Sequence, residues 1–362
     1  MTADRHVISS TAAPRRAVVT PPCRPARFRV RGGQVMAREG TRPVYDPAGH
    51  DPELRAALQE VRTGRWMSMR TLLERTTAWW QWTQRTQVLA AAAAGTDVVR
   101  TWLTEEPGSV PATVMRARVA VERALRARRE RHRRTHELWI EAWDVSRTAA
   151  RVAAHDPVPW VCLLALAQLD HRLLWEEHRA KPPGPMLPPG PWGLLAEADK
   201  RDPYNREAHH RMLQFLYARA SSGRLAEAVG YAHWAADSAP PGSALHVLPL
   251  YVRVERYRRG SGSSAALDLH WVAEDAIREA GRAHEQWFGL APAEERSPLD
   301  LNHLAHALWG ALRFEAATEV FDALGPYFTP LPWSYRADGD QARGVQIFLQ
   351  ARARSRSAVQ GP

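Results

Sequence analysis

Histidine pairs are the first residues in this chain whose spacing points to chemistry. His132 and His136 lie four apart, so a helix would place both rings on one face, as a bound metal ion requires. Arg131, Arg133 and Arg134 surround them, and no carboxylate completes a His-Glu-x-x-His pattern. Cation repulsion makes this a solvated face. His303 and His306, three apart, sit beside an apolar stripe and read as interior or edge histidines. His209 and His210 are adjacent and point to different sides of a helix, so they cannot share one ion. His171, Glu176, Glu177 and His178 are ligand types, but Glu177 and His178 diverge by about 100° around a helix. No nucleophile elbow, phosphate loop or dinucleotide fingerprint occurs, and Gly260-Ser-Gly-Ser-Ser264 lacks the lysine of a phosphate loop. We assign no catalytic residue, metal ligand or cofactor. A pocket between helices needs no motif, so an enzyme stays an open alternative.

Binding chemistry is better represented. Of the 15 tryptophans, Trp143, Trp234, Trp271 and Trp309 fall on apolar stripes and belong in a core. Trp79 and Trp82 share one helix face and Trp80 lies on another, so one neighbour cannot cover all three. At least one of them is expected to anchor a partner, because tryptophan dominates binding hot spots. Basic chemistry is concentrated in residues 116–134, where nine arginines stand against Glu122 and Glu130, a net of +7. Arg126, Arg129 and Arg133 are the candidates there for a phosphate backbone or an acidic protein surface. No aromatic residue lies between Arg116 and Arg134 to stack on bases, which favours weak or no nucleic-acid binding.

Composition bounds these readings. The chain has 362 residues, 45% of them hydrophobic, enough for a sizeable core. No apolar run approaches the ~20 residues that cross a bilayer, so no membrane partner is expected. Only Cys23 and Cys162 are present, which excludes a disulfide framework and a four-cysteine zinc site. A reducing compartment, the cytoplasm, follows as the expected location. The formal net charge is +10, but Lys181 and Lys200 are the only lysines and Asn205 and Asn302 the only asparagines. Arginine, alanine and proline are abundant, as a GC-rich genome would dictate. Much of the positive charge is therefore composition and weighs little as evidence for nucleic acid.

The elements that position these residues read as helices throughout. Residues 1–50 are proline-rich and carry seven arginines against Asp4 in residues 1–35. We expect a disordered tail, with a native start at Met36. Asp51-Pro52 opens a first helix, an N-cap followed by a residue that needs no N–H. Leu54, Ala57, Leu58 and Val61 are its stripe. A long helix carries Val114, Ala117, Val121 and Leu125, and its apolar stripe lapses until Leu138. Asp156-Pro157 opens another helix, expected to end near Ala180. Residues 181–193, rich in proline, form a connector. Asp202-Pro203 then starts a helix bearing Met212, Phe215 and Leu216. Gly223 breaks it, and Leu225, Ala228, Ala232 and Ala235 stripe a second helix stopped by Pro240. Leu301, Leu304, Ala305 and Leu308 pair in the same way with Phe314, Ala317, Phe321 and Leu324. No alternating strand pattern persists. The expected division is a tail at 1–50, a helical lobe at 51–180, the connector, a second lobe at 194–335 and a tail at 336–362.

The units at 202–240 and 301–330 resemble tetratricopeptide repeats. Ala305, Ala317, Phe321 and Pro330 stand where that family places its small–small–aromatic–proline signature, and Gly223, Ala228, Ala235 and Pro240 match its glycine, alanine and proline positions. Leu312 replaces the usual turn glycine, and Arg219 stands where an aromatic is typical. The Asp202-Pro-Tyr-Asn205 start, the Ala239-Pro-Pro-Gly-Ser243 corner and Pro332-Trp333 also resemble an uncharacterised, actinobacterial-type family of tetratricopeptide-like proteins. The resemblance implies an all-α solenoid of antiparallel helix pairs in two lobes. It further implies a non-catalytic scaffold that binds a protein or peptide partner on a concave surface.

Overall fold

The computed structural model describes residues 42–170, 172–220, 225–259, 269–337 and 339–360. Residues 1–41 of the tail expected at 1–50, with the expected native start at Met36, and the Gly223 turn lie outside them. Among the described residues the fold is all-α, and the only extended pairings are two isolated bridges, Val44 with Tyr327 and Ala180 with Gly190.

Local rules account for most helix starts. The Asp51 carboxylate accepts from the Leu54 N–H at 2.9 Å and opens α1, Pro52–Arg62. α2 (Met67–Glu74), α3 (Trp79–Ala93) and α4 (Val98–Glu105) follow. Ser109 caps α5, Val110–Arg129, and α6 spans Thr135–Val152. The lapse in the apolar stripe is the turn between them, where Arg131 takes a φ of +52°. α7, Val158–Leu166, is apolar on every side and buried on every side but that of Trp160. It continues as a 3₁₀ turn only to Leu169, well short of Ala180. Asp170 stops it, because its carboxylate accepts the N–H groups of Leu174 and Trp175 at 2.9 Å each.

The connector is fixed in place. The Trp192 indole donates to the Pro188 carbonyl at 2.8 Å, and Arg219 donates to the Pro189 carbonyl at 2.8 Å. α8, Trp192–Asp199, packs on α7, as does α9, Arg206–Arg219. The helix expected from Pro203 starts three residues later. Asn205 is its cap, accepting from the Ala208 N–H at 2.9 Å, while Asp202 accepts from the Asn205 side chain. α10 (Ala226–Ser238) and α11 (Leu248–Arg259) come next, then α12 (Glu274–Ala283), α13 (Pro298–Gly310) and α14 (Phe314–Leu324).

One apolar core gathers side chains from Ala48 to Val252, and a second gathers them from Val247 to Ala351. They meet in α11. The first core crosses residues 181–193 through Trp192, Leu194 and Leu195, so the break in composition there is not a break in the core. Residues 341–360, expected as part of a tail, form a helix, α15 (Gln341–Gln360). Phe348, Ala351 and Ser355 are buried along it, and it packs on α14.

The last part of the expected N-terminal tail is likewise ordered. Residues 42–50 make a strap that runs against the start of α13 and the turn after α14. The Val44 N–H donates to the Pro326 carbonyl at 2.8 Å, and the Phe328 N–H donates to the Val44 carbonyl at 2.9 Å. Arg55 donates to the Tyr327 hydroxyl at 2.8 Å and pairs with Asp46. Gly49 takes a φ of +54° against the Pro298 ring, where a Cβ would sit 2.6 Å from a ring carbon. The strap and α1 are thereby tied to the start of α13 and to the turn that follows α14.

Candidate functional site

Closure by the strap encloses a groove of about 1110 Å³, walled by segments far apart in the chain. α3 supplies one wall because it is two-faced. Trp82, Thr86, Leu89, Ala90 and Ala93 are buried in the core. The other face presents Trp79, Trp80, Gln84, Gln87, Val88 and Ala91 to the groove. The turn at Asp202–Asn205 and the start of α9 stand opposite, the start of α13 adds Pro298 and Leu299, and the strap adds Tyr45 and Pro47. Tyr204 is held outward by a left-handed backbone, with φ +61° and 41% exposure.

The walls are joined beneath by buried charge. Arg118 from α5 donates to both oxygens of Glu207 on α9 at 2.7 Å, and Arg211 adds two bonds to Glu207 at 2.8 and 3.0 Å. Burial alone would push the Glu207 carboxyl up, but Arg118 and Arg211 overcome it and hold it below the usual carboxylate range. Arg118 also reaches the Thr83 carbonyl at 3.2 Å, which ties α3 to the same network. Arg206 pairs with both oxygens of Asp300, and the Tyr251 hydroxyl donates to Asp300 as well. These groups are saturated by one another.

The groove face of α3 is different. Gln84 and Gln87 are half-buried and make no hydrogen bond within the protein, and neither Trp79 nor Trp80 stacks on another ring. Two groove carboxylates also lack an ion pair, Asp202 and Glu295. Burial and then Asp199 raise the Asp202 carboxyl; burial and then Glu294 and Asp202 raise that of Glu295. Three aliphatic hydroxyls in the groove are spent on structure: Ser243 and Ser297 accept from the N–H groups of Leu245 and Leu299, and Thr329 donates to the Leu331 carbonyl. The arrangement offers flat rings on which a group can stack and amides that can hydrogen-bond.

Of the residues expected to meet a partner, Trp79 and Trp80 line this groove and Trp82 does not. Trp82 is 8% exposed, and its indole donates to Asp156 at 2.9 Å. Arg126, Arg129 and Arg133 do not line this groove; their side chains are exposed, without an internal ion pair or hydrogen bond. The arginine run is smaller in effect than its count, since Arg118 is buried, Arg123 binds the Ala94 and Thr96 carbonyls, and Arg134 pairs with Glu137. The histidines are held singly. His303 stacks on Tyr251 at 3.7 Å and bonds to the Leu299 carbonyl, and burial drives it down to about 4. His306 accepts from Arg336 at 2.8 Å. His178 bonds to Asp170 at 2.9 Å, but it is sealed by Trp139, Trp143 and Trp175 with no exposed surface. His171 lies outside the described residues. Tyr45, Gln84, Gln87, Tyr204 and Glu295 were not singled out by sequence. Only a signal joining distant segments would have found them.

Comparison with protein-family models, with curated proteins and with solved structures returns no match.

Proposed function

We propose that this chain is a non-catalytic interaction scaffold that holds an extended segment of a partner protein in the groove. The observation that carries the reading is the open face of α3. Gln84 and Gln87, free of internal hydrogen bonds, can each donate and accept, as the backbone of an extended peptide requires. Trp79 and Trp80 offer flat apolar surface beside them. The volume of about 1110 Å³ exceeds the usual range of small-molecule sites and suits a chain segment. The helix pairs at 202–240 and 301–330 support a tetratricopeptide-like relationship, and the cysteine content supports a cytoplasmic site of action. No helix among the described residues is long and apolar enough to cross a membrane. Selection from a displayed library of random twelve-residue peptides tests the proposal. Enrichment is expected on the wild-type chain, and its loss on a Trp80→Ala, Gln84→Ala, Gln87→Ala variant. Equal enrichment on both would place binding elsewhere.

A second reading rests on the exposed arginines after α5. Arg126, Arg129 and Arg133 have no internal partner and would meet a nucleic-acid backbone. Titration with random duplex and single-stranded DNA at 50 and 200 mM salt checks it. Phosphate contacts predict a steep loss of affinity with salt, abolished when all three are changed to alanine.

A further inference from the structure

Charge accounting around the groove narrows its occupant. Asp46 is taken by Arg55, Glu207 and Glu122 by Arg118 and Arg211, and Arg206 by Asp300. Three charged side chains that line the groove remain without an ion pair, Arg62, Asp202 and Glu295. Asp202 and Glu295 both line the groove, and the charge of Asp202 is among the causes that raise Glu295. Tyr204, beside Asp202, presents an exposed ring there. The stretch of the groove at Asp202 and Tyr204 is therefore anionic and aromatic, with Glu295 a second unpaired carboxylate in the lining, in a chain whose overall charge is +10.

We infer that the partner segment places a cationic side chain, arginine above all, between Asp202 and Glu295 while its backbone runs along Gln84 and Gln87. A guanidinium answers both features of that stretch. Its fork of N–H donors can serve two carboxylates, and its plane stacks on an aromatic ring. Lysine supplies the charge without the plane and should bind less tightly. Repulsion between Asp202 and Glu295 would be relieved on binding. Asp202 is partly buried, which strengthens an ion pair formed there, whereas Glu295 is exposed and adds a solvent-screened charge. Arg62 favours a neutral or acidic residue at its own position along the segment. The net positive charge of the chain opposes a basic ligand elsewhere on the surface, so tight binding of one reports this local stretch.

The inference rests on the groove-binding proposal, and the experiment separates the two. The full chain is titrated at 150 mM salt with three labelled dodecapeptides of alternating glutamine and a variable residue, arginine, citrulline or glutamate. Binding is read by fluorescence anisotropy. The arginine peptide is expected to bind at least tenfold more tightly than the citrulline peptide, its neutral isostere. Asp202→Asn with Glu295→Gln should remove that advantage with an unchanged melting temperature, and Arg62→Ala should not. Equal binding of the arginine, citrulline and glutamate peptides would overturn the cation and leave the groove reading standing. Failure of every peptide, together with an empty library selection, would overturn both. A neutral glucose oligomer binding in place of every peptide would do the same, because paired carboxylates and aromatic rings also suit a sugar chain.

Discussion

Glu207→Ala strands a buried guanidinium. Glu207 and Arg118 are each 3% exposed, and Arg211 is 7% exposed. Once the carboxylate is removed, Arg118 keeps only the Thr83 carbonyl at 3.2 Å and the Thr86 hydroxyl at 3.3 Å. Arg211 fares better, since Glu122 stands 3.6 Å away and Gln214 accepts from it at 3.1 Å. The cost is thus dominated by one uncompensated buried charge, about 3–5 kcal/mol. Replacing the pair together, Arg118→Met with Glu207→Leu, removes both charges and should cost far less, on the order of 1–2 kcal/mol. Urea unfolding gives both values as a shift in midpoint at constant slope. Glu207 also sets a pH dependence. Its carboxyl titrates lower folded than unfolded, so its stabilisation is full above the unfolded value. That stabilisation is lost as pH falls through the folded one, and Glu207→Gln should lack this acid-side decline. A cost below about 1 kcal/mol for Glu207→Ala would show that water reaches the pair and that α5 and α9 do not share a core.

Leu312, 54% exposed, holds a φ of +59° at the turn between α13 and α14, so Leu312→Gly should stabilise by about 1 kcal/mol and raise Tm; a lower Tm would contradict this. Trp82→Ala should cost about 3–5 kcal/mol and leave groove binding to those molecules that still fold, whereas Trp80→Ala should change Tm little and weaken peptide binding more than tenfold. Thermal melts and peptide titration of the two variants separate the roles, and an exchange of the two effects would refute the assignment of faces on α3. Burial pushes the Asp156 carboxyl up to about 6 against the bonds from Val158 and Trp82. Being higher folded than unfolded, it makes the protein lose stability as pH rises from about 4 to 6, and melts of Asp156→Asn across that range should show the slope removed.

Helix periodicity carried most of the fold because it is a local property. Asp51-Pro52, the stripe from Leu301 to Leu308 and the lapse between Leu125 and Leu138 all describe real boundaries. The strap at 42–50 has no period to read, and its order comes from Pro326, Tyr327 and Pro298, more than 240 residues away. α15 was hidden by its own arginines, which leave only the narrow stripe of Phe348, Ala351 and Ser355. Periodicity placed Trp79 and Trp82 on one face but could not say how deep each sits. Trp82 turns into the core to meet Asp156, just ahead of α7, and Trp79 lines the groove. The groove was legible only through Trp79 and Trp80. Gln84 and Gln87 are ordinary residues for a solvated helix face, and they become distinctive only when three other segments enclose them.

The most direct test of the scaffold reading is the affinity of the best library-selected peptide for two forms of the chain, wild type and Trp80→Ala, Gln84→Ala, Gln87→Ala, each with a verified melting transition. Isothermal titration at 150 mM salt supplies it. The account predicts a loss of at least a hundredfold in Kd with Tm unchanged. An unchanged Kd would contradict it, and the open face of α3 would then be a solvated surface.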